Sequence, residues 1–220
     1  MGYYPVFLDL DQTRCLVIGG GTIAERKVEA VLAAGGEVTL ISPELTAALS
    51  DLEAAGRLTV RQRSYQRGDL DTVALVIAAT DDPALQRQIA ADAKQANILC
   101  NIVDQPALCS FIVPAVLQQG DLTIAVSTTG ASPALAKKIR QDLAEQFGPE
   151  YAVALRLLRR IRERLRQEQR SMQDRRRLLT DLVESPLLDY LRDHQTDKLN
   201  TLLQQTLGEA YTLERLAFSW

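Results

Sequence analysis

Three groups of residues in this chain have the types and spacing to do chemistry. The first is Gly19-Gly20-Gly21-Thr22-Ile23-Ala24, which fits G-x-G-x-x-[G/A]. A short apolar run, Arg14 to Ile18, precedes it, and a stretch of helical composition, Thr22 to Ala34, follows it. In a strand-turn-helix setting the first glycine (Gly19) permits a tight turn and the second (Gly21) lets backbone approach a pyrophosphate. Ala24 is small enough for close helix–strand packing. The helix N-terminus then offers N–H groups and a positive dipole end to phosphates. The expectation is a dinucleotide site; the plain alternative is a turn that only tightens a βα unit. Where an acid normally grips the adenosine ribose stand Ser42, Pro43 and Glu44. Glu44 either reaches the ribose hydroxyls or sits in a first helical turn, where acids are favoured. No arginine stands beside Ser42 to receive a 2′-phosphate, so the pattern favours NAD over NADP.

The second group is acidic. Thr80-Asp81-Asp82 follows the apolar run Val73 to Ala79, and Asp104 follows Ile98 to Val103, with Asn101 just before it and Gln105-Pro106 after it. In doubly wound sheets ligands sit beyond the carboxyl ends of the strands. A carboxylate there can take a proton during hydride transfer, or bind a divalent metal through oxygen. Asp82 is also a natural N-cap with Pro83 behind it, and Asp104 a natural turn residue.

The third group is polar and basic. Ser127-Thr128-Thr129-Gly130-Ala131-Ser132-Pro133 links a strand to a helix start, and Lys137, Lys138 and Arg140 follow. Hydroxyls and helix N–H groups together suit carboxylate or phosphate, although capping alone explains Ser132. Residues 151–177 hold ten arginines against three acids, a net +7, so the rest of the chain carries −10 within an overall −3. Such a helix is a solvated face, a seat for a polyanion, or an RNA surface. The absence of aromatics between Tyr151 and Tyr190 removes support for base stacking.

Elements that could position these groups are legible in the hydrophobic pattern. Strand-like runs alternate with helical stretches through the first hundred residues, which indicates an α/β, doubly wound parallel sheet. Ser42-Pro43-Glu44 is expected to open the second helix, with Ser42 as N-cap. Leu58 to Gln62 reads as an edge strand. After Asp104 the pattern changes: Phe111 to Leu117 and Leu122 to Ser127 flank Gln119-Gly120-Asp121 as a hairpin. A helix from Ser132-Pro133 to about Phe147 closes at Gly148-Pro149. Beyond it only helix is expected, with apolar positions at Ala154, Leu158, Ile161 and Leu165 and a break at Ser185-Pro186.

Composition bounds the function classes. Of 220 residues, 46% are hydrophobic and 24% charged, which excludes a disordered or fibrous chain. No apolar run is long enough to span a membrane, and Met1 to Asp11 lacks the basic start of a signal peptide. Cys15, Cys100 and Cys109 form no framework and no C-x-x-C, so a reducing cytoplasm is expected. With His194 alone, no His/Cys metal site is expected. Net charge argues against nucleic acid as a partner.

Taken together, Tyr4-Pro5-Val6-Phe7-Leu8, Val17-Ile18-Gly19-Gly20-Gly21-Thr22-Ile23-Ala24-Glu25-Arg26-Lys27, Ala78-Ala79-Thr80-Asp81-Asp82, Cys100-Asn101-Ile102-Val103-Asp104, Ser110-Phe111-Ile112-Val113-Pro114 and Ala125-Val126-Ser127 through Ser132-Pro133 resemble the precorrin-2 dehydrogenase/sirohydrochlorin ferrochelatase family. The segments fall in family order across roughly residues 3–145; the basic tail is similar in composition only. The resemblance implies a Rossmann-like NAD-binding domain over 1–113, a dimerisation segment of hairpin plus helix over 114–148, a helical domain over 149–220, and an intertwined homodimer. It implies NAD-dependent oxidation of precorrin-2 to sirohydrochlorin, with ferrous iron as a further substrate in some members. It implies Asp104 as the catalytic proton acceptor. The cofactor set expected is Gly19, Gly21, Thr22, Ile23, Ala24, Ser42, Pro43, Glu44 and Thr80. The substrate set is Asn101, Ser127, Thr128, Ser132 and Lys137. Thr128 stands where some relatives have a serine that can be phosphorylated. The competing function class is an NAD-sensing regulatory module without redox activity, which leaves the hairpin, the hydroxyl loop and the arginine helix without a role.

Overall fold

The structure is a computed structural model that describes residues 2–220. The backbone divides into two compact units on either side of the Val113–Pro114 bond.

The first unit alternates strand and helix: β1 (Arg14–Ile18), α1 (Thr22–Ala33), β2 (Glu37–Ile41), α2 (Ala47–Ala54), β3 (Thr59–Arg61), β4 (Leu75–Ala78), α3 (Pro83–Ala96) and β5 (Leu99–Ile102). The five strands pair in parallel in the order β3-β2-β1-β4-β5. β1 and β4 are central, and Cys15 to Ile18 and Leu75 to Ala78 are buried on both faces, as a covered parallel sheet requires. Two cores result. One joins Val17, Val28, Leu40, Leu49 and Ile77; the other joins Leu16, Ile41, Val76, Ile89 and Ile102. The short β3 lies at the edge, as its weak alternation indicates.

One expected boundary is corrected. Ser42 does not cap the second helix. Its hydroxyl donates to the Glu44 carbonyl at 2.7 Å, and α2 begins four residues later behind Thr46. The delay has a physical cause: Thr46 N–H donates to the Gly20 carbonyl, so residues 42–46 wrap the glycine turn before the chain can coil. Thr46 then caps α2 through Leu49 N–H and donates to Glu25.

The second unit opens with the hairpin β6 (Ala115–Gln119) and β7 (Leu122–Val126), antiparallel across a two-residue turn at Gly120-Asp121. Gly120 has φ +58°, as such a turn demands. The first strand starts later than Phe111. Pro114 lacks a donor, and the Phe111 carbonyl is taken by Asn101. Five helices follow: α4 (Pro133–Gln146), α5 (Glu150–Gln167), α6 (Met172–Val183), α7 (Leu187–Arg192) and α8 (Thr196–Leu207). The expected division at 148/149 falls inside this unit, where Asp121 of the turn pairs with Arg159 at 2.6 Å. The buried seam of α5 runs through Ala154, Leu157, Ile161 and Leu165, so Leu157 replaces the expected Leu158 at its centre. The seam packs on Leu182, Leu191, Leu199 and Leu203. A break at Gln169 (φ +53°) separates α5 from α6, which Ser171 caps through Asp174 N–H.

Candidate active site

The carboxyl ends of β1, β2, β4 and β5 converge on the glycine turn. Gly19 N–H donates to the Ile41 carbonyl, and Ala79 N–H to the Ile18 carbonyl. Gly19 has φ +116°, and a Cβ on it would stand 2.2 Å from the Ala79 carbonyl oxygen. Glycine is therefore required there both by conformation and by space. Gly20, an unspecified position of the motif, is confined just as tightly by Glu44 and Ser42. Around Gly21, by contrast, a Cβ would meet nothing within 4 Å. That open face, at the N-terminus of α1, is the shape a diphosphate needs. Ala24 is wholly buried beneath the turn against the sheet.

The turn forms the floor of a cavity of about 760 Å³. Of the expected cofactor residues, Gly19, Gly21, Thr22, Ile23, Ser42, Glu44 and Thr80 line it; Ala24 and Pro43 do not. Asp81, singled out with Thr80 as a strand-end acid, also lines it, whereas Gly20, Leu45, Thr46, Ala79, Gln86 and Val103 were absent from the expected cofactor set. Gln86 is buried in the first turns of α3 and donates to the Thr80 carbonyl at 2.6 Å, fixing that strand end. Its signal was a glutamine four residues after the cap Asp82. Asp82 itself is spent on capping, accepting from Ala84 and Leu85 N–H. On the ribose side, Arg61 lies opposite Ile41 in the neighbouring strand. Arg61 and Arg63 are both bound to Asp69, while Glu44 faces the cavity.

Asp104 lies just past β5. It has φ +59°, a left-handed conformation that Asp and Asn tolerate and most residues do not. It is exposed and lines the glycine-turn cavity together with Ile23 and Val103. The same three residues also line a second cavity of about 460 Å³, walled by Leu8, Leu10, Leu75, Ile77, Phe111 and Val113. Asp104 therefore stands where a group in one cavity meets a group in the other.

Asn101 lines neither cavity. It is buried, and its amide donates to the Phe111 carbonyl at 3.0 Å. Cys109 and Ser110 secure the same segment. Ser110 Oγ accepts from Cys100 N–H at 2.8 Å, and Cys109 Sγ accepts from Ile102 N–H at 3.2 Å. Burial pushes the Cys100 thiol up to about 11 and raises Cys15 and Cys109 as well, so all three stay protonated thiols.

The remaining expected residues belong to the second unit. Thr128 Oγ1 accepts from Ser132 N–H at 3.1 Å, and Ser132 caps α4 through Leu135 N–H at 3.2 Å. Ser127 and Lys137 are exposed, and Thr129 (φ +51°) and Gly130 (φ +88°) turn the loop between them. The arginine helix divides into two roles. Arg160 and Arg164 hold the carbonyls of Arg215, Leu216 and Ala217, and Arg164 stacks over Tyr211 at 4.6 Å. Arg162, Arg166, Arg175 and Arg176 instead line a groove between α5 and α6. His194 is exposed and packs on Trp220. No helix of the described residues is long and apolar enough to cross a membrane.

Three family models match the chain in succession. Residues 6–115 match the family model described as putative NAD(P)-binding, residues 119–146 that of the sirohaem biosynthesis protein central region, and residues 151–207 that of the sirohaem synthase dimerisation region. The siroheme synthase of Pseudomonas fluorescens is 38% identical over 96% of this chain, and that of Methylococcus capsulatus 34% over 99%. The chain spans about half the length of these relatives, 46% in each case. A solved structure, SirC, precorrin-2 dehydrogenase, superposes with a TM-score of 0.77 and 30% identity, covering 95% of this chain and all of that one. On these matches the chain belongs to the precorrin-2 dehydrogenase family that siroheme synthases share.

Proposed function

We propose that this protein oxidises precorrin-2 to sirohydrochlorin with NAD as the hydride acceptor. The observation that carries the reading is the position of Asp104 on the wall shared by the glycine-turn cavity and the apolar cavity. The reaction removes two hydrogens from the macrocycle, one as hydride and one as proton. NAD, when bound, supplies the hydride acceptor. The open face of Gly21 and the N–H groups of Thr22 and Ile23 would hold the diphosphate, and Glu44 would take the ribose hydroxyls. Asp104 receives the proton as the macrocycle loses hydride. On the second unit, the hydroxyls of Ser127, Thr128 and Ser132, with Lys137, suit the carboxylates that ring a tetrapyrrole. The match of residues 151–207 to a dimerisation region supports a homodimer.

The test is an anaerobic assay with precorrin-2 and NAD, following NADH and the macrocycle spectrum together. NADH formed in step with a sirohydrochlorin spectrum is the expected result. No NADH with either NAD or NADP overturns the reading and leaves a nucleotide-sensing module. Ferrous iron added in a second phase tests insertion into sirohydrochlorin, by a rate above that of iron without protein.

A further inference from the structure

The apolar cavity beside Asp104 contains a charge pattern that dinucleotide binding does not use. Ile23, Lys27, Ala30 and Val31 fall at i, i+4, i+7 and i+8 along α1 and present one face to it. Arg26 joins them at the rim. Apart from Arg26, Lys27 and Asp104, the lining side chains are hydrocarbon or aromatic. Among the described residues neither Arg26 nor Lys27 has an ion-pair or side-chain hydrogen-bond partner. Arg26 is exposed, but Lys27 is half-buried. Burial, and then the charge of Arg26, lower the Lys27 pKa against the opposing pull of Asp104. An ammonium held in such a place without a partner is desolvated at a cost that an incoming anion would offset.

We propose that this cavity seats one acidic edge of the tetrapyrrole. Lys27 and Arg26 clasp its acetate or propionate carboxylates, and the apolar walls take the ring. The inference rests on the function proposed above and adds to it the residues that orient the substrate. Lys27 lies one helical turn beyond Ile23, which both cavities share. A carboxylate fixed on Lys27 therefore sets which edge of the ring faces Asp104 and the glycine turn. Lys27 and Arg26 are positioning residues: they act on the macrocycle's periphery, away from the atoms that lose hydrogen.

The experiment compares Lys27→Met, Arg26→Met and Lys27→Arg with the unmodified chain. Loss of one charge-assisted hydrogen bond is expected to raise the KM for precorrin-2 by about tenfold or more, and more than it lowers kcat. The Kd for sirohydrochlorin, measured by absorbance titration, should rise by the same factor, while NAD affinity is unchanged. Lys27→Arg should restore most of the loss. Unmodified protein should also prefer sirohydrochlorin to its methyl ester, and Lys27→Met should lose that preference. Substrate KM and sirohydrochlorin Kd within about twofold of wild type in both methionine variants overturn the inference, with the proposed function left standing. Arg26 is exposed, so its variant reports even if Lys27→Met fails to fold. If the unmodified protein neither oxidises precorrin-2 nor binds sirohydrochlorin, the function itself falls, and the two failures are told apart.

Discussion

A Cβ placed on Gly20 would fall 1.9 Å from the Glu44 carbonyl oxygen and 2.7 Å from Ser42 Oγ. The loop after β2 is thus pressed against the glycine turn by a contact that only glycine permits. Gly20→Ala must displace residues 42–46 and lose the bond from Thr46 N–H to the Gly20 carbonyl. The expected cost is about 2 kcal/mol or more, seen as a fall in Tm of roughly 4–8 °C. Gly21→Ala is the contrasting variant. Gly21 has φ −88°, which alanine adopts freely, and open space around it. Its Tm should stay within about 2 °C of wild type while NAD affinity falls at least about tenfold. Thermal melts with and without NAD separate the two effects.

Asp104→Asn removes the proposed proton acceptor and keeps the backbone, since Asn is at home at φ +59°. Turnover with precorrin-2 should fall by about 100-fold or more, the usual contribution of a positioned base. The Kd for NAD should remain within about twofold, because the proposed seat of the diphosphate is the glycine turn and not Asp104. Near-wild-type turnover in this variant would remove Asp104 from the mechanism.

Coenzyme choice follows from which charges are already engaged. Arg61 and Arg63 are bound to Asp69, so a 2′-phosphate would meet Glu44 and no unpaired guanidinium on that strand. NAD should therefore be preferred over NADP in kcat/KM. Glu44→Ala should raise the KM for NAD by about tenfold and narrow the ratio between the two coenzymes. Parallel initial-rate series with both coenzymes measure it.

Asp69 ties the edge of the sheet to the 3-10 turn at residues 67–70. Its carboxylate accepts from Arg61 at 2.8 Å, from Arg63 at 2.5 and 2.8 Å, and from Gln66 N–H at 2.8 Å. The hydrogen bond from Arg63 leads in holding it below its ordinary value of 3.8, with burial opposing and the Gln66 N–H assisting. A carboxylate depressed in the folded state contributes stability that is complete above its unfolded pKa. That contribution is lost as pH falls through the folded value. Asp69→Asn should therefore lower stability at neutral pH by about 1–2 kcal/mol, since the arginines left behind are partly exposed and can be hydrated. The gap from wild type should shrink as the pH drops below about 4. Urea melts across that range give the difference directly.

Much of the first unit was legible because parallel strands buried on both faces read as unbroken apolar runs. β1 begins and ends where the pattern places it, and the glycine turn lies between β1 and α1. Ser42 misled for a local reason. Serine followed by proline is a good helix opening by itself, and nothing nearby in sequence reveals that Gly20 claims the Thr46 N–H. Asn101, expected to contact substrate on the family resemblance, is buried with its amide donating to the Phe111 carbonyl, ten residues away, a contact that local sequence does not reveal.

By itself the sequence determined the classes of element, the glycine turn after the first strand and the aspartate past the fifth strand, because each is written in residues adjacent along the chain. Only tertiary structure decided that Asp104 shares walls with two cavities, that Gly20 is as constrained as Gly19, and that Lys27 faces the second cavity. Those relations depend on the strand order β3-β2-β1-β4-β5, which sets β1 beside β4 and brings chain segments about 60 residues apart to one edge of the sheet. Local periodicity carries no information on that order. It is settled by which faces can be buried together when the helices close over the sheet.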